Sequence, residues 1–139
     1  MKAEGFPPPE SWGVTILRVV VGIVFLAHGG QKLFIWGVAS VAAIFAQVGI
    51  PAPMLTAVVV AMVEFLGGLA LMLGLFTRWA AIPLAITMAG AIVTVHAKGG
   101  FFLPDGFEFV LTLLAANVAL AFLGSGALSV DGFLQKRKA

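Results

Sequence analysis

The chain has 139 residues, of which 61% are hydrophobic and only 10% charged, with a formal net charge of +2. A soluble domain carries about 25% charge, and the few basic residues are dispersed apart from a short C-terminal tail, so no nucleic-acid partner is expected. The absence of cysteine excludes disulfide exchange, thiolate nucleophiles, iron–sulfur ligation and cysteine-based zinc sites. No metal site is expected, and any redox role must belong to a bound cofactor or a partner.

Residues 1–11 carry Lys2, Glu4 and Glu10 around Pro7-Pro8-Pro9, which reads as a short polar tail in the extended conformation that prolines favour. It does not read as a cleavable signal peptide, because the apolar run that follows is too long and lacks a small-residue cleavage site. That run, 14–34, is the first of four apolar spans, with Ser11 as a candidate N-cap. Val38, Val41, Ile44, Phe45 and Val48 then recur at helical spacing as far as Gly49. This segment is too short to cross a bilayer and predicts a short interfacial or re-entrant helix on the outer side.

Pro51 and Pro53 open the second span, 54–75. Gly74 is a plausible stop and Thr77 a plausible N-cap for the third span, 79–96. So short a turn makes spans two and three antiparallel neighbours, and Pro83 is placed to bend span three. Asp105 followed by Glu108 has the spacing of a capping box at the head of span four, 107–123, which Gly124-Ser125-Gly126 closes before a polar tail at 125–139. Each span is long enough to cross roughly 30 Å of hydrocarbon at about 1.5 Å per residue. The expectation is an all-α integral membrane domain over 1–139, a four-transmembrane-helix bundle whose solvent is the lipid bilayer. Ala81, Ala85 and Ala89, and Ala115 and Ala119, form small-residue stripes that would build its helix–helix contacts.

With four crossings, both termini and the loop at Thr77-Arg78 share one side. Lys2, Arg18, Arg78, Lys136, Arg137 and Lys138 lie there, against Lys32 and Lys98 on the other. The bias places both termini in the cytoplasm and the chain in the cytoplasmic (inner) membrane.

Polar residues inside lipid are costly and mark function. On a helix, Arg18, His28 and Lys32 fall within about 80° of arc, so span one has a polar face expected to look into the bundle. His28 and His96 lie at matched depth toward the outer face, about 21 and 25 Å from the starts of their spans. Lys32, Lys98, Asp105 and Glu108 gather at the same end. Glu64 sits near the midplane and needs a partner, water or a proton; Arg18 and His28, at flanking depths, are the reachable partners. The bland readings stand beside these: Arg18 can snorkel to the interface, Arg78 can be an anchor, Glu108 half of a capping box, His96 and Lys98 interfacial residues, and Asn117 one side of a helix–helix hydrogen bond. His28 and Glu64 are the hardest to explain as structural.

The chain resembles the DoxX family of small bacterial membrane proteins. The resemblance rests on Leu17-Arg18 with Gly22, on His28-Gly29-Gly30-Gln31-Lys32-Leu33-Phe34, on Glu64 with Gly67-Gly68, on Gly74-Leu75-Phe76-Thr77-Arg78, and on His96 followed by Gly99-Gly100-Phe101-Phe102. Glu108 and Leu128-Ser129-Val130-Asp131 fit as well, so the likeness spans roughly residues 14–131. It implies a four-helix bacterial inner-membrane protein, labelled an oxidoreductase or a subunit of one, with relatives linked to quinone-dependent oxidation of thiosulfate and to oxidative or thiol stress. With no cysteine here, thiol chemistry would need a partner subunit.

Three functions fit the residues. In the first, the chain is a membrane subunit of a quinone-linked redox system. His28, Gln31, Lys32 and His96 would bind quinone, Glu64 and Glu108 would handle protons, and a partner redox subunit would supply electrons. In the second, His28 and His96 hold a b-type haem. In the third, the chain is a non-catalytic subunit or a carrier of a small substrate or proton, working as a homo-oligomer; against transport, no inverted repeat is evident.

Overall fold

The computed structural model describes residues 6–138. Among them the regular structure is helical throughout, with no strand. Helix α1 (Pro9–Gly30) starts one turn earlier than expected. Pro8 is extended (φ −65°, ψ 152°) and Pro9 takes the first helical position, where its missing N–H costs nothing. Ser11 is therefore inside the helix rather than its cap, and its carbonyl accepts the Thr15 hydroxyl at 3.1 Å. The axis continues as a π-helical stretch, Gln31–Ile35. After Gly37 comes α2 (Val38–Gln47), ending near Gly49, and then α3 (Pro53–Leu73), with Pro53 at its head and Gly74 left-handed (φ 67°) at its foot. Helix α4 (Thr77–Ala91) runs on through a second π stretch, Ile92–His96, and one 3₁₀ turn, Ala97–Gly99. The last two helices are α5 (Glu108–Leu123) and α6 (Val130–Lys138), the latter within the segment read from sequence as a polar tail.

Among the described residues, three helices are long and apolar enough to cross a membrane: Pro9–Ile35, Pro53–Leu73 and Thr77–Gly99. Helix α5 is apolar but has 16 residues, about 24 Å of rise. Helix α2 lays Val41 and Ala42 onto Ala57 of α3.

Glycine sets the closest approach. A Cβ on Gly22 would fall 2.7 Å from the Met72 amide nitrogen, one on Gly29 2.3 Å from that of Phe65, and one on Gly68 2.3 Å from that of Leu26. Helices α1 and α3 thus run antiparallel with their main chains in contact, the arrangement small residues permit in lipid. On the other side of α3, Gly67 meets the Leu84 side chain of α4. Helix α5 lies on α4 and returns to α1. Val21, Phe25, Leu71, Leu84, Met88, Leu113 and Leu120 fill the core. Ile16, Ile86, Val93 and Phe122 face outward, each more than half exposed, as expected where the surroundings are lipid. Of the predicted alanine stripes only Ala81 is fully buried; Ala89 and Ala115 are exposed. Helix α4 packs instead through Ala81, Leu84 and Met88, because its neighbour α5 presents larger knobs, Val110, Leu113 and Leu120.

At the end holding the start of α1 and the α3–α4 turn, the chain after α5 folds back and is tied down. Ala127 N–H donates to Ser11 and Asp131 N–H to Gly74. The Asp131 carboxylate accepts the N–H groups of Phe76 (2.8 Å) and Thr77 (3.1 Å). Asp131 therefore caps α4, and Thr77 is the helix's first residue rather than its cap. Arg18 is 1% exposed and does not meet Glu64. Its Nε donates to Ser125 O (2.9 Å), Nη1 to Leu71 and Met72 O, and Nη2 to Leu128 O. Two of these acceptors belong to the last turn of α3, the end of the helix dipole that favours a cation.

Candidate functional site

The opposite end of the molecule holds the expected polar residues, and the glycine contact of α1 with α3 dictates how they meet. With Gly29 against the main chain at Glu64 and Phe65, Lys32 lies one turn further toward the C-terminal end of that helical axis. Helical side chains lean toward their own N-terminus. In antiparallel helices Lys32 and Glu64 therefore lean toward each other, and Lys32 Nζ forms an ion pair with Glu64 Oε2. Their side chains are 15% and 5% exposed. The partner of Glu64 is thus Lys32, not Arg18 or His28 as depth along the spans suggests. Gly68 is filled by α1 and Gly67 by Leu84, so neither opens space for a ligand.

His28 does not face into the core. It is exposed, at the edge of the polar arc, with its ring 6.4 Å from that of Phe109 on α5. Gln31 and Lys32, three and four residues on, share its face and are partly exposed. His96 is partly exposed, with Nδ1 3.4 Å from the Asp105 carbonyl. Lys98 is exposed. Glu108 does not form the expected capping box with Asp105; its Oε1 accepts the Leu103 N–H at 2.7 Å and braces the loop before α5. Asn117 is fully buried, but its Nδ2 donates to Leu113 O within α5 (2.8 Å) rather than to another helix, and its Oδ1 has no partner among the described residues. No group of three metal-ligating side chains occurs among the described residues.

One feature escaped the sequence. Gln31 and Lys32 lie in the first π-helical stretch and His96 in the second. Single π turns are rare and frequent at functional sites; here they re-aim side chains at the same end of two helices. Nothing in the local sequence distinguishes those turns from ordinary helix.

Apolar helices of spanning length, outward apolar faces and a buried carboxylate–ammonium pair define a multi-pass integral membrane protein. The DoxX family model matches residues 13–97, and the chain belongs to that family. It is 37% identical to "Putative oxidoreductase CatD" of Bacillus subtilis, over 91% of this chain and 90% of that protein. It is equally 37% identical to "Uncharacterized membrane protein Rv3486" of Mycobacterium tuberculosis, over 99% of this chain and 87% of that one. It is 34% identical to "Inner membrane protein YqjF" of Escherichia coli, over 92% and 96%. No solved structure matches the chain.

Proposed function

We propose that this protein is the membrane subunit of a quinone-linked redox system, crossing the inner membrane four times with both termini cytoplasmic. In this reading α5, though short, is the fourth span, and the basic residues of the α3–α4 turn and α6 lie on the cytoplasmic side. The observation that carries the reading is His28, an exposed imidazole inside a helix of spanning length. Toward lipid, such a group is costly unless something binds it. It stands beside the Phe109 ring, with Gln31 and the partly exposed Lys32 ammonium on the same face.

These residues fit a quinone headgroup arriving sideways from the bilayer: an aromatic wall, and donors for two carbonyl oxygens. A bound quinone would supply two-electron, two-proton chemistry, the electrons coming from a partner redox subunit. His28 and Gln31 would orient the carbonyl oxygens, and Glu64 and Glu108 would hold or pass protons at their carboxylates. A b-type haem has less support, because His28 meets Phe109 while His96 turns to the Asp105 carbonyl. The buried Lys32–Glu64 pair also suits a proton or small-substrate carrier, which is the second reading.

The test is retention of a naphthoquinone probe by the full chain in lipid nanodiscs, read by mass spectrometry. One quinone per chain, lost in His28→Ala with the protein still folded, is expected. Equal retention by the variant, or none by the wild type, overturns the reading.

A further inference from the structure

A second polar feature lies at the opposite end of the molecule, away from the His28 patch. A groove of about 730 Å³ opens between the start of α1, the α3–α4 turn, the end of α5 and α6. That volume is within the range of roughly 300–1,000 Å³ typical of ligand sites. Its apolar walls include Val14, Leu123 and Leu134, and its charged lining residues are Glu10, Arg78, Asp131 and Lys138. Asp131 is already engaged by the Phe76 and Thr77 amides. Arg78 and Lys138 are exposed, and neither forms an ion pair among the described residues. Glu10 and the amide-bound Asp131 balance the two cations in number, but among the described residues no carboxylate is paired with either Arg78 or Lys138, so the two are left to attract an anion of their own.

The position of the groove identifies what could supply the missing anion. Trp79, next to Arg78 in the groove lining, is 75% exposed at the head of a spanning helix, where indole rings sit at headgroup depth. Gly124 keeps Arg78 in place: a Cβ there would lie 3.2 Å from Arg78 Nε, so the guanidinium lies against the foot of α5 and the groove stays open. An occupant at this depth meets cations at the water side and apolar walls at the lipid side.

We propose that this groove is a specific binding site for an anionic phospholipid of the phosphatidylglycerol type, its phosphodiester held between Arg78 and Lys138 and its glycerol backbone against Val14, Leu123 and Leu134. The phosphodiester supplies the anion that Arg78 and Lys138 lack among the described residues.

The full chain is tested in nanodiscs holding equal phosphatidylglycerol and phosphatidylcholine, with the lipid retained on release read by native mass spectrometry. One phosphatidylglycerol per chain is expected in preference to phosphatidylcholine. Arg78→Gln and Lys138→Gln should each lower that preference about fivefold, the effect of one basic residue at a membrane surface. Arg137→Gln removes the same charge from the same helix, but Arg137 lies over the Phe133 ring outside the groove, so this variant should keep the preference. An equal fall in all three variants would show diffuse surface attraction and overturn the site. So would no fall in Lys138→Gln, a change at an exposed helix end that leaves folding intact. Inorganic phosphate at millimolar concentration displacing the lipid would assign the groove to a soluble anion instead and overturn the lipid assignment.

Discussion

Gly29 of α1 touches the main chain of α3 at Phe65, where a Cβ would fall 2.3 Å from the amide nitrogen. The neighbour is backbone and cannot swing aside. Gly29→Val should therefore push α1 and α3 apart, at a cost at or above the roughly 1–3 kcal/mol of ordinary overpacking. The expected result is a large fall in Tm of the purified protein. Gly30→Val is the control: a Cβ there meets only the Phe65 ring, at 3.7 Å. Equal Tm values for the two variants would show that α1 and α3 do not make this contact.

The same contact sets up the Lys32–Glu64 pair, and the two halves of that pair should respond unequally to mutation. Removing one partner of a buried pair costs about 3–5 kcal/mol because the other charge is stranded. Lys32, near the C-terminal end of its helix and 15% exposed, can turn its ammonium away from the core when Glu64 is lost. Glu64, 4% exposed, has no such escape. Lys32→Met should thus destabilise more than Glu64→Gln, and the double variant Lys32→Met with Glu64→Leu should recover most of the loss. Thermal unfolding in detergent checks the order. Glu64→Gln as the more damaging change would contradict the geometry.

What the sequence could and could not reveal follows from the range of each interaction. Helical class and the apolar stretches were legible because they depend on local composition. The register between helices was not. Depth along span one placed Arg18 and His28 as partners of Glu64, but the pairing is decided by where Gly22, Gly29 and Gly68 let two backbones touch, and by side-chain lean in antiparallel helices. Those glycines were visible; their mutual register was not. His28 sits at the edge of an 80° arc, where a small rotation of the helix decides between core and surface. Asp131 capping a helix that begins 54 residues earlier has no local signature, so local spacing points to Thr77 as the cap there, as it points to Ser11 and Asp105 at the other helix starts, and the fold uses none of the three.

Arg18 should be irreplaceable in a way a simple interfacial anchor is not. Its three guanidinium nitrogens serve four carbonyls on α3 and the 125–128 segment. A lysine ammonium is a compact point charge and cannot span that fork. Arg18→Lys is expected to lower stability by several kcal/mol, since each lost bond from a charged donor is worth about 1.5–3 kcal/mol, and Arg18→Ala should fail to accumulate. Size-exclusion profiles and Tm of detergent-extracted protein are the readout. Normal accumulation of Arg18→Ala would mean that these carbonyls find water and that the guanidinium is dispensable.

Asp131 offers a finer test, because its role can be separated from bundle assembly. Its carboxylate accepts two amides at the head of α4, where helix N-terminal N–H groups lack partners, and its own N–H ties α6 to Gly74. Asp131→Ala removes the cap and should cost about 1 kcal/mol, leaving the spanning helices assembled. The local signature is faster hydrogen exchange at Phe76 and Thr77, with the core of α3 near Glu64 unchanged. Asp131→Asn keeps an acceptor oxygen but loses the charge that complements the helix dipole, and should fall between wild type and alanine. Exchange that rises equally throughout α3 and α4 would show that Asp131 supports the whole packing rather than one helix end. Unchanged exchange at Phe76 and Thr77 would show that it caps nothing.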